Sequence, residues 1–108
     1  MTSGKFRSLA LELPAAVEST HMGHPDFRVA GRIFATLDHP DNGYGMVKLT
    51  PEQQRSFIRK APGVFAPCAG AWGRGGATSV RLAAARVAML RAAIAAAAEN
   101  VTSRAGKP

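Results

Sequence analysis

Residues 22–37 constrain this chain more than any other stretch. They read Met-Gly-His-Pro-Asp-Phe-Arg-Val-Ala-Gly-Arg-Ile-Phe-Ala-Thr-Leu. Phe27 and Val29 alternate with Arg28 and Ala30. Beyond Gly31, Ile33, Ala35 and Leu37 alternate with Arg32, Phe34 and Thr36. Successive side chains of a strand point to opposite faces, so two alternating runs about a glycine predict a β-hairpin with one buried face. The rest of the 108 residues must cover that face or extend the sheet, because a chain of this length holds one core.

The flanking segments supply both. Phe6, Leu9 and Leu13 recur at helical spacing over Ser3–Leu13, with Ser3 as the expected N-cap and Pro14 as the stop. Residues 17–22 read either as a short edge strand or as an extended connection. Asn42-Gly43 is the strongest tight-turn signal and leads into a strand at Tyr44–Leu49. Thr50-Pro51-Glu52-Gln53 has the form of a capping box with Pro at the first helical position, and Pro62-Gly63 ends that helix. A short strand at Val64–Phe65, a Gly-rich loop over Ala66–Ala77, a strand at Thr78–Leu82 and a helix over Ala83–Val101 complete the order. Tight turns between strands make the sheet antiparallel. The expected fold is α+β: a two-layer sandwich in which about five twisted antiparallel strands carry three helices on one face. Residues 1–101 form the single domain and 102–108 a flexible basic tail.

Charge is distributed unevenly. Residues 1–52 hold five Lys/Arg and six Asp/Glu; residues 53–108 hold nine Lys/Arg and a single acid, Glu99. A basic half suggests a polyanionic partner, although an Arg- and Ala-rich composition with ordinary solubility gives the same balance. The lone Cys68 excludes an intrachain disulfide and fits a reducing compartment. No apolar run follows the N-terminus, and Ala92–Ala98 is too short to span a bilayer. The expected setting is the cytoplasm, with no membrane partner.

Three constellations could carry chemistry. Strict alternation puts Arg28, Arg32, Phe34, Tyr44, Met46, Lys48 and Arg81 on the sheet face away from the helices. Cations that neutralise phosphates, interleaved with rings that stack on bases, suit a nucleic-acid platform. The same face also fits a protein interface, a homodimer or plain solvated surface. Next, Gly70-Ala-Trp-Gly-Arg-Gly-Gly-Ala could bring backbone amides and Arg74 to a small anion at Gly73–Gly76, but it lacks the Gly-Lys-Ser/Thr of a nucleotide-phosphate loop, and a long glycine loop that ends in a strand more often shapes a wing or a turn. Trp72 reads as a hydrophobic plug in preference to a stacking residue. Last, His21, His24 and Asp26 could ligate a metal or move protons, but too few further ligands exist, and a local role around the turn is favoured. No nucleophile–base pair or paired carboxylates stand out, so neither enzymatic activity, nor a cofactor, nor a metal is expected.

Six pieces, in order, resemble the MmcQ/YjbR family: His-Met-Gly-His-Pro-Asp-Phe-Arg-Val (21–29), Gly-Arg-Ile-Phe-Ala-Thr-Leu (31–37), Met-Val-Lys-Leu-Thr-Pro-Glu-Gln-Gln (46–54), Pro-Gly-Val-Phe-Ala-Pro (62–67), Trp-Gly-Arg-Gly-Gly (72–76) and Val-Arg-Leu (80–82). The resemblance implies a twisted antiparallel sheet with helices on one side, related in shape to frataxin-like and secretion-chaperone-like folds. It also implies DNA binding through a double-wing arrangement. Phosphate contacts would then map onto Arg28, Arg32, Lys48, Arg74 and Arg81, with Arg55 and Arg59. Frataxin-type iron binding does not carry over, since it relies on acidic residues and this chain is basic. The family's usual Trp and Lys-rich end of the last helix is also missing, where this chain reads Ala-Ala-Glu-Asn-Val-Thr-Ser-Arg (97–104).

Overall fold

The computed structural model describes residues 1–38 and 41–105. Helix α1 (Ser3–Leu11) leads into strands β1 (Val17–His21), β2 (His24–Val29), β3 (Arg32–Leu37) and β4 (Tyr44–Lys48). Helix α2 (Pro51–Lys60), strand β5 (Phe65–Pro67), helix α3 (Gly70–Arg74), strand β6 (Ala77–Arg81) and helix α4 (Val87–Ala105) follow. The six strands form one antiparallel sheet in the order β1-β2-β3-β4-β6-β5. The α+β expectation holds, with one strand more than expected: residues 17–21 pair with β2 and form an edge strand.

Local chemistry accounts for the boundaries. Thr2, not Ser3, caps α1, its hydroxyl accepting from the Lys5 amide at 3.1 Å. The α2 capping box forms as read, with Gln53 N–H donating to Thr50 Oγ1 and Thr50 N–H to Gln53 Oε1. β1–β2 and β2–β3 are joined by Met22-Gly23 and Ala30-Gly31, in which both residues have positive φ, the twist that suits a two-residue hairpin turn. Helix α4 runs to Ala105 and so overlaps the start of the expected tail; residues 106–108 lie outside the described residues. The loop expected over 66–77 holds the last two residues of β5, the whole of the short α3 and the first residue of β6.

One face of the sheet carries the core. Phe27, Ala35 and Val47 pair in one row across β2, β3 and β4; Leu37, Gly45, Val80 and Phe65 pair in the next. Helices α1 and α4 cover these rows with Phe6, Leu9, Leu90, Ile94 and Ala97, all buried. Helix α2 closes the β5 end, where the Phe57 and Phe65 rings lie 5.2 Å apart.

A β-bulge breaks the alternation that the sequence suggests. Phe27 pairs with Ala35 but Arg28 pairs with Ile33, which leaves Phe34 as the extra residue. Phe34 is therefore turned into the core and is fully buried, not displayed as a stacking ring. The same shift sets Arg32 opposite Val29, a core residue, and so on the face opposite Arg28.

Candidate nucleic-acid interface

The second face of the sheet is built on a buried row. Asp26, Thr36 and Met46 pair across β2, β3 and β4, and none is more than 3% exposed. A buried carboxylate needs counter-charge. Asp26 has it from Arg28, which donates through Nε to Oδ1 at 2.8 Å and through Nη2 to Oδ2 at 3.0 Å, and from His21, whose Nδ1 lies 3.0 Å from Oδ2. The Arg28 hydrogen bond outweighs the effect of burial and, with help from His21, holds the Asp26 carboxyl below its ordinary pKa. The His-Met-Gly-His-Pro-Asp segment thus does local work: His21 and His24 face each other across the turn, and His21 docks on Asp26. Among the described residues no group of three His, Cys, Asp or Glu side chains could hold a metal ion.

The nine expected contact residues divide. Arg28, Tyr44, Lys48 and Arg81 share the face of the buried row, with Tyr44 paired to Arg81. Arg28 is half-buried and its charge is met by Asp26, so it is a poor phosphate ligand. Arg81 is exposed, its Nε donating to the Gly63 carbonyl at 3.1 Å. Arg55 and Arg59 lie one turn apart on the exposed side of α2, and Arg74 is exposed at the end of α3. Arg32 is exposed on the other face, and Phe34 is in the core. A single platform of interleaved cations and rings is therefore not what the fold builds. The cations spread over the second sheet face, α2 and α3, and Tyr44 is the ring that remains on that face.

The Gly-rich segment answers to packing. A methyl group on Gly73 would fall on the Cys68 carbonyl oxygen, and one on Gly76, where φ is +117°, would fall on the Leu49 carbonyl oxygen. Gln54, buried on α2, donates to the Gly73 and Ala77 carbonyls at 2.9 and 3.0 Å and ties α2 to this segment. These contacts explain the glycines without an anion. Cys68 beneath them is half-buried, and burial pushes its thiol pKa up, away from a reactive thiolate.

Trp72 is 44% exposed and is not the expected plug. It lines a cleft of about 330 Å³ together with Lys48, Thr50, Pro51, Ala77 and Asn100. Sequence reasoning missed this cleft. Its signal was Asn100, a polar residue inside an Ala-rich helix and next to the buried Val101.

Among the described residues no helix is long and apolar enough to cross a membrane. The family model YjbR matches residues 11–97. The crystal structure of Deinococcus radiodurans protein DR2400, which has a DUF419 domain, matches 98% of this chain and 82% of its own at 20% identity, with a TM-score of 0.81. That likeness is one of fold. No curated protein matches the chain.

Proposed function

The chain belongs to the YjbR family, and on that premise we propose that it binds DNA through the phosphate backbone, with little base specificity. One observation carries the reading. All the ion pairs among the described residues join α1, β1, β2 and α4: Arg7–Glu18, His21–Asp26, Arg28–Asp26 and Arg91–Glu12. Residues 29–90 contain eight Lys/Arg against three Asp/Glu, and none of the described side chains among them forms an ion pair. A surface of uncompensated cations attracts a polyanion and releases its counterions on binding. The contacts proposed are Lys48, Arg55, Arg59, Arg74 and Arg81; Arg32, on the other face of the sheet, is not among them. The protein acts in the cytoplasm in this reading, without a cofactor and without catalysis.

Fluorescence anisotropy of a labelled duplex and a labelled single strand, titrated at several salt concentrations, tests the proposal. About five phosphate contacts give a log–log salt slope of about −4 to −5, and Arg55→Ala and Arg59→Ala each flatten it by about 1. No binding at low salt, or a slope near zero, removes it. A second reading rests on β1, whose five residues are all exposed and whose outer edge has no strand against it among the described residues. Such an edge can pair with another chain. A concentration-dependent homodimer by analytical ultracentrifugation, together with indifference to DNA, would favour it.

A further inference from the structure

We propose that the cleft between the end of β4, the start of α2, α3 and the last turns of α4 takes one unstacked nucleotide, with its base against Trp72 and its phosphate on Lys48. The class of ligand rests on the nucleic-acid reading above; the site does not. The cleft, at about 330 Å³, is in the range of small-molecule sites. Trp72 offers it a half-exposed ring, and Lys48 a half-buried side chain that forms no ion pair among the described residues. An aromatic ring and an ammonium-bearing side chain that line one cleft match the two parts of a nucleotide, its base and its phosphate.

The hydrogen bonds of the wall say what the base would meet. The Thr50 backbone N–H donates to Gln53 Oε1 at 2.9 Å, which sets the orientation of the Gln53 amide. Asn100 Nδ2 donates to that same oxygen at 2.7 Å and to the Lys48 carbonyl at 3.1 Å. Both partners are acceptors, so both Asn100 N–H groups are committed and the amide cannot be flipped. Asn100 Oδ1 is left as an acceptor with no partner among the described residues. Every base carries an N–H on its pairing edge, so one acceptor would hold any base and select none. That agrees with binding of little base specificity, and it favours a flipped-out or single-stranded nucleotide, whose pairing edge is free.

The chain's single tryptophan gives the test a direct reporter. The Trp72 indole N–H and Asn100 amide signals are followed by NMR while the four deoxynucleoside monophosphates, deoxyribose 5-phosphate and inorganic phosphate are titrated in turn. The expected result is saturable movement of both signals with each nucleotide and not with the base-free phosphates. Trp72→Leu should weaken nucleotide binding roughly tenfold or more. Lys48→Gln, on a half-exposed residue outside the core, should weaken it several-fold while leaving the fold intact. Signals that stay still with nucleotide, or move equally with deoxyribose 5-phosphate, overturn the proposal. If labelled duplex binds while the indole signal stays still, the cleft proposal fails and the phosphate-backbone reading stands. If nucleotides bind and the duplex does not, the cleft stands and the backbone reading falls.

Discussion

Gly73→Ala separates the packing account of the glycine segment from an anion-binding one. The new methyl would overlap the Cys68 carbonyl oxygen and stand 2.9 Å from the Cys68 nitrogen. Both atoms are backbone, and the Cys68 N–H is itself held by the Ala77 carbonyl at 3.0 Å, so neither can swing aside as a side chain would. Helix α3 has to move outward. That movement strains the bond from Gln54 Nε2 to the Gly73 carbonyl, and Gln54 is only 7% exposed. Overpacking of this kind costs about 1–3 kcal/mol, and weakening a buried hydrogen bond adds about 1 kcal/mol or more. Alanine's helix propensity returns up to about 1 kcal/mol. The net loss is about 1–3 kcal/mol, a fall in Tm on the order of 10 °C for a domain of this size. Urea denaturation gives the free energy. Trp72, the residue before, gives the site: its native emission should shift even where the fold persists. Gly75→Ala is the control, since the same methyl there meets nothing nearer than 3.5 Å and φ is −81°, and it should stay within about 0.5 kcal/mol of wild type. A Gly73→Ala protein as stable as wild type, with unchanged emission and only a lost response to phosphate, would refute the packing account.

Three further outcomes follow from the same structure. Met22 has φ of 51° in the β1–β2 turn and is 89% exposed, so Met22→Asn relieves left-handed strain without loss of packing and should stabilise by roughly 0.5–1 kcal/mol in chemical denaturation. Asp26 has its folded pKa lowered, chiefly by Arg28, so its contribution is present above the unfolded carboxyl pKa of about 3.9 and is lost as pH falls through the lower folded value. Urea midpoints should therefore drop more steeply below about pH 4 in wild type than in Asp26→Asn, and parallel profiles would contradict this. Phe34→Ala removes a fully buried ring and should cost about 3–5 kcal/mol, seen as a loss of Tm; a stacking residue on an open face would have left Tm nearly unchanged.

What the sequence makes legible here depends on whether the information is local. Capping boxes, two-residue turns and helical spacing are written within a few residues of where they act, and α2, the β2–β3 hairpin and α4 could be read from them. The bulge is different. Nothing within residues 27–34 says that one residue of β3 will go unpaired; the choice is made by the core, which gains a buried Phe34 and gives Arg32 to the other face. One extra residue reverses the side of everything beyond it, so an alternation argument carried through Gly31 had to fail for Arg32 and Phe34 together. The same limit governs the cleft. Lys48, Trp72 and Asn100 come from a strand, a five-residue helix and the last helix, and what joins them is a close approach that glycines 73 and 76 permit. In the sequence those glycines read as a loop that shapes a wing or a turn, with a small anion as the lesser alternative. In the fold their missing side chains let the chain pass against Cys68 and Leu49, and Trp72, the residue before Gly73, lines the cleft. Glycine-rich stretches therefore point to function here at one remove: they fit the backbone together, and the chemistry belongs to the larger side chains that the fit brings to one place.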